Sequence, residues 1–239
     1  MRITQQPAYI LHARAWRETS LLLEAFTRDF GRVGLLARGV RGPRARLPRS
    51  VLEPMQALRL GWSGRGELST LTAAEPEGNA RVLRGDRLLA ALYVNELLVR
   101  LTARDDPYPR LFERYAALLD ELAATGPLAW SLRRFERDVL AAVGYALQLE
   151  AVADTGEAID PAREYDYVPE QGPLAARDPG FGTRIRGSAL LALAADGPPP
   201  AGTDQAALRR LMRTLIAAHV GDRGITSWRV LAGALHARS

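Results

Sequence analysis

Residues 8–47, AYILHARAWRETSLLLEAFTRDFGRVGLLARGVRGPRARL, decide how the first third of this chain folds. Within this stretch, 8–14 (AYILHAR), 20–27 (SLLLEAFT) and 31–38 (GRVGLLAR) are short apolar or alternating runs. Turn residues separate them, Asp29 to Gly31 and then Gly39 to Pro48. Working outward, 55–61 (MQALRLG) and 67–74 (ELSTLTAA) repeat the pattern, joined through Gly61, Gly64 and Gly66. Five short strands with no helical pattern between them predict a small closed β-barrel over 1–80. They are few for a sandwich, and closure removes the exposed sheet edges.

Beyond residue 80 the period changes. Residues 86–103 are apolar nearly all round, which predicts a buried central helix starting at an Asp86 cap and stopping before Pro107 and Pro109. In 109–124, Leu111, Phe112, Tyr115, Leu118, Leu119 and Leu122 fall on one stripe, and 128–143 repeats the pattern up to Gly144. Residues 151–187 break this rhythm with Pro and Gly turns around the strand-like run 164–168, and read as a small irregular insertion. Helices resume at 188–195, 204–219 and 227–237. The expected class is α+β: a barrel over 1–80 and a helical domain over 81–239 that carries the 151–187 insertion.

The charge of this chain is unevenly placed. Residues 1–87 hold 15 Arg and 8 acids, net +7, whereas 88–150 hold 7 and 9 and 151–239 hold 10 of each. The overall +5 therefore comes from the first third, and a concentrated basic surface points to a polyanionic partner. All 32 basic residues are Arg and none is Lys, which excludes a Walker A loop, a Schiff-base lysine and a lysyl-nucleotide intermediate. With no Cys there is neither a disulfide framework nor a thiolate zinc site. The N-terminal stretch has no signal-peptide pattern and no run reaches the ~18 apolar residues of a membrane span, so an intracellular soluble protein is expected.

Candidate chemistry is sparse. His12, His219 and His236 are scattered, without a partner at helical ligand spacing, and no Ser sits in a Gly-x-Ser-x-Gly elbow. The glycines at 61, 64 and 66 join two strands, so they form a hairpin bearing Trp62 and Arg65 and lack the helix N-terminus of a phosphate loop. No catalytic site, metal site or cofactor is expected. Residues 28–49 stand out, with seven Arg against the single Asp29. Arg41, Arg44, Arg46 and Arg49 lie on a Gly/Pro-broken loop suited to phosphates rather than base edges, and are expected to supply most of the affinity for a polyanion. Arg32 and Arg38 on the preceding strand share parity and can join them on the outer face. Nucleic acid fits better than membrane, because the segment has no interfacial apolar face. Phe26, Phe30 and Trp62 are the candidates for base stacking, with core or turn packing the alternative for each.

On these residues the chain resembles the RecO family of recombination mediators. The resemblance rests on Arg17-Glu18-Thr19-Ser20, the strand from Gly31 to Gly39, Tyr93-x-Asn95-Glu96-Leu97-Leu98, Leu132-Arg133-Arg134-Phe135-Glu136, Gly144-Tyr145 and the stretch from Gly221 to Leu231. It runs in order over essentially the whole chain. It implies an oligonucleotide-binding (OB) barrel and a non-enzymatic, cytoplasmic, nucleoid-associated protein that binds single- and double-stranded DNA and anneals complementary strands. It further implies that, with RecR, such a protein helps RecA load onto DNA coated by single-stranded-DNA-binding protein. The acidic tail of that coating protein would dock on the helical domain, with Arg133, Arg134 and Arg137 on one helix and Arg209, Arg210 and Arg213 on another as candidates. Many relatives carry two Cys pairs that hold zinc in the segment matching 151–180. This chain has none, so the insertion is expected to fold without metal. A magnesium-dependent nuclease and a purely protein-binding helical scaffold are the competing classes. The first needs carboxylates beside the basic surface, where only Asp29 stands.

Overall fold

The structure, a computed structural model, describes residues 1–41, 47–64, 66–79, 81–177, 180–221 and 224–228. The five strands are β1 (Arg2–Trp16), β2 (Ser20–Thr27), β3 (Gly31–Ala37), β4 (Ala57–Ser63) and β5 (Ser69–Pro76). They close into a barrel in the order β1-β2-β3-β5-β4, antiparallel except for the β3–β5 pair, which is parallel and seals the barrel. This is the expected OB-like domain. Its core is the inward-facing set of the alternating runs: Ile10, Leu21, Leu23, Ala25, Val33, Leu35, Leu58 and Leu60, with Leu52 from the 3-10 turn Arg49–Leu52.

β1 begins at Arg2, well before the expected residue 8. Residues 2–7 show no alternation because a register shift between Ile3 and Gln6 and the left-handed Gln5 (φ 53°) break the pleat along β4. A second shift, between Ile10 and His12, makes Leu11 a bulge residue. After it, Ala13 is half-buried against the core, and His12, Arg14, Ala15 and Trp16 are exposed.

The sequence places three helices next, and α1 (Gly85–Leu101), α2 (Pro109–Ala123) and α3 (Leu128–Ala142) form there. Two expectations for α1 change. Arg84 occupies the cap position while Asp86 sits in the first turn, where a carboxylate still favours the helix N-terminus. The helix is also not buried all round, since Leu88 and Leu92 are exposed at 36% and 43%.

The chain divides into two compact units, one of Met1–Ala124 with the described residues from Ile225 on, the other of Thr125–Gly224. The change from strands to helices at 80/81 is therefore not the boundary of compactness, because α1 and α2 belong with the barrel. The reason is an aromatic cluster. Tyr9 and Phe26, outside the barrel, meet Phe112 and Tyr115 of α2 at centroid distances from 5.0 to 6.2 Å. Arg87 of α1 donates to the carbonyls of Glu121 (3.3 Å) and Leu122 (3.1 Å), closing the end of α2. The link after α1 runs along β3, where Asp105 N–H donates to the Arg32 carbonyl at 3.0 Å. A Cβ on Gly31 would stand 1.9 Å from the Asp106 carbonyl oxygen, and Gly31 has φ +64°, so only glycine fits there.

In the second unit α3 packs on α5 (Gly202–Val220), and α4 (Gly187–Ala194) packs beside α5. The 151–187 segment holds a three-stranded sheet, β7-β6-β8, made of β6 (Glu164–Val168), β7 (Gly172–Ala175) and β8 (Thr183–Arg186). Its polar centre is Asp166, buried, which accepts Arg177 N–H at 3.0 Å and Arg184 Nε at 2.7 Å. Burial alone would raise this carboxyl, but those hydrogen bonds and the Arg184 charge outweigh it and hold it below the ordinary range. No group of three or more potential metal ligands is present among the described residues. No helix among them is long and apolar enough to cross a membrane.

Candidate nucleic-acid interface

The outer face of β1-β2-β3 follows from register. Pairings Arg14↔Leu22 and Leu22↔Leu36 form one outward row, Trp16↔Ser20 the next, and His12↔Glu24 with Glu24↔Gly34 the one before. Side chains in one row stand about 5 Å apart. At the end of this face a groove is lined by Trp16, Arg17, Glu18, Thr19, Ser20, Leu36, Arg38 and Gly39. A neighbouring groove shares Arg38 and Gly39 and continues over Val40, Leu47 and Leu71. Arg14, Arg17, Arg38 and Arg41 are all exposed, while Leu22 and Leu36 between them are half-buried. The chain leaving β3 is fastened to the β1–β2 turn: Arg41 N–H donates to the Thr19 carbonyl at 3.0 Å, and the Arg41 guanidinium to the Arg17 carbonyl at 3.3 Å. Guanidinium groups held on a backbone frame beside apolar side chains suit a strand with phosphates outside and bases inside.

The sequence-predicted residues divide accordingly. Arg38 and Arg41 are exposed at this groove. Arg49 is exposed on the 3-10 turn, 3.9 Å from Glu53. Arg44, Arg46 and Arg65 lie outside the described residues. Arg32 does point outward, as its parity predicts, but it is already engaged. It pairs with Glu24 at 2.9 Å and donates to the Thr102 carbonyl at 2.9 Å, with Arg104 bound to the other oxygen of Glu24. Trp62 is a correction: it is 6% exposed within the barrel core, edge-on to Phe30 at 5.5 Å, and offers no face to a base. Phe26 is fully buried. Sequence reasoning missed Trp16, exposed at 41%. Its signal was the outward alternation His12, Arg14, Trp16 running into the Arg17–Thr19 turn.

The candidate partner-docking arginines fare unevenly. Arg133 is buried and paired with Glu136, itself 1% exposed. Arg137 is bound to Asp138 (2.7 Å), Asp196 (2.9 Å) and the Leu193 carbonyl. Both hold the second unit together and are not presented to a partner. Arg134 is half-buried, whereas Arg209, Arg210 and Arg213 are exposed on α5. In the same unit, a depression lined by Leu140, Tyr145, Gln148, Tyr167, Leu215 and His219 includes none of these arginines. There His219 stacks on Tyr145 at 3.7 Å.

Comparison with known proteins places this geometry. Residues 1–79 match the model described as Recombination protein O N terminal, and residues 83–229 match Recombination protein O C terminal. The chain belongs to the RecO family. It is similar to the DNA repair protein RecO of Xanthomonas oryzae pv. oryzae (strain PXO99A), 46% identical over 235 residues that cover 97% of each chain. Its likeness to the DNA repair protein RecO of Stenotrophomonas maltophilia (strain K279a) is 44% over 234 residues, again 97% of each. A role in DNA repair and recombination follows from that membership.

Two of the motifs that carried the RecO resemblance have structural tasks. Asn95 Nδ2 donates to the carbonyl of the bulge residue Leu11 at 3.0 Å, while Asn95 Oδ1 accepts the Tyr115 hydroxyl at 2.6 Å. One buried amide thus joins β1, α1 and α2. The neighbouring Glu96 accepts Thr226 N–H (2.7 Å), Ser227 N–H (2.8 Å) and the Ser227 hydroxyl (2.7 Å). It clasps the returning chain, with Trp228 lying against Tyr93 at 6.5 Å. Burial alone would raise Glu96, but the Ser227 and Thr226 donors outweigh it and lower its pKa.

Proposed function

We propose that this RecO-family chain is a non-enzymatic recombination mediator whose barrel binds DNA through its phosphates. In that reading it anneals complementary strands and, with RecR, helps RecA load onto DNA coated by single-stranded-DNA-binding protein. It would act in the cytoplasm, at the nucleoid. One observation carries the DNA-binding part: exposed Arg14, Arg17, Arg38 and Arg41 gather around the groove at the end of β1-β2-β3, with Glu18 the only carboxylate among the described residues that line it. Unlike Arg32, these guanidinium groups form no ion pair among the described residues, so phosphate can neutralise them. Docking of the coating protein's acidic tail has most support at Arg209, Arg210 and Arg213, which stand exposed on one helix.

The test has two arms. Binding of a labelled single strand across a salt series should weaken steeply and alike for oligonucleotides of different composition. Adding the protein to complementary strands, bare and coated, should speed annealing without cleaving either strand in magnesium. Cleavage would favour the nuclease reading, and DNA affinity no greater than that of a neutral control would favour the protein-binding scaffold.

A further inference from the structure

We propose that Trp16 is a stacking platform for an unpaired base, so that the groove at the end of β1-β2-β3 takes single-stranded DNA in preference to duplex. This rests on the DNA-binding reading above and names the form of nucleic acid that the same site selects. Trp16 presents its ring to solvent at 41% exposure, whereas Trp62 and Trp130 are 6% and 3% exposed. Its cross-strand neighbour is Ser20, too small to cover an indole, and Leu36 of the next strand lines the same groove. Arg17 follows immediately, held at φ 52° in the turn, and Arg38 lines the same groove. An indole face, an aliphatic floor and flanking guanidinium groups match a nucleotide whose base is out of its stack. In a duplex both base faces are already covered by neighbouring pairs, so the ring gains nothing from it, while the arginines still contact its phosphates. Single-strand preference therefore comes from Trp16, and general affinity from the arginines.

The experiment uses the full chain, a labelled oligothymidine and a blunt duplex of equal length. Trp16→Ala should weaken single-strand binding about tenfold while duplex affinity stays within about twofold. Trp16→Phe, which keeps an aromatic face, should recover most of the loss. Tryptophan emission of the wild type should be quenched by the oligothymidine, and that quenching should be absent in Trp16→Phe. Equal losses on both DNAs, or no loss in Trp16→Ala, would overturn the proposal while leaving the DNA-binding reading in place. A wild type that binds neither DNA would overturn both.

Discussion

The hydrogen bonds of Asn95 are the most exposed to test among the contacts that join the barrel to its helices. Asn95 is 2% exposed and Tyr115 fully buried, so water cannot replace either group. Asn95→Ala removes the donor to the Leu11 carbonyl and the acceptor of the Tyr115 hydroxyl. Leaving a buried polar group without its partner costs about 1–3 kcal/mol, so the two losses together should cost about 2–5 kcal/mol. Tyr115→Phe removes one of those bonds and should cost about 1–2 kcal/mol. The informative quantity is the double variant. Once the hydroxyl is gone, Asn95→Ala no longer strips it of an acceptor, so the double variant should be more stable than the two single costs predict by about 1 kcal/mol or more. Urea unfolding followed by far-ultraviolet circular dichroism and by tryptophan emission measures all four proteins. Strict additivity, or an Asn95→Ala cost under 1 kcal/mol, would show that this amide does not bind β1 to α1 and α2.

Further outcomes follow from the carboxylates. Because Glu96 is depressed in the folded state, its stabilisation is present above the ordinary glutamate value of 4.5 and is lost as pH falls through the lower folded value. Glu96→Gln should therefore destabilise the first unit at pH 7 by about 1–2 kcal/mol, with the gap to wild type closing in acid, as unfolding measured over a pH series would show. Asp166→Asn should loosen the three-stranded sheet, costing about 1–3 kcal/mol and speeding amide exchange across β6 and β8, whereas EDTA should leave its exchange unchanged.

The barrel was legible in the sequence because its inward residues alternate: Leu21, Leu23 and Ala25 against Leu22 and Glu24 are the same pattern in the row of letters and in space. The start of β1 was not, since Gln5 and Pro7 carry no alternation and their pairing with β4 is a long-range fact. The groove was half legible. Counting Arg found the basic surface, and parity correctly turned Arg32 outward, but only the fold brings Glu24 and Thr102 to consume its charge. Trp16 escaped the sequence reading, and Trp62 did not turn outward, for a related reason. The bulge at Leu11 resets the parity of β1, and which tryptophan the barrel swallows depends on Phe30 from another turn. Likewise Arg133 reads as a solvated helix face until Glu136 is seen buried beside it. The grouping of α2 with the barrel depends on ring contacts between residues about a hundred positions apart, such as Tyr9 and Tyr115, and that of α1 on the Asn95 bond to Leu11.

The proposed role places DNA phosphates on the exposed arginines around the β1–β2 turn. The most direct measurement is the salt dependence of single-strand affinity for wild type beside a variant with Arg14, Arg17, Arg38 and Arg41 all changed to Ala. Each phosphate contact on a single strand contributes about 0.7 to the log–log slope, so the variant should flatten it by up to about 3 and lose affinity equally for all sequences. A variant that keeps its fold and the wild-type slope, or loses affinity for one sequence only, would contradict the claim.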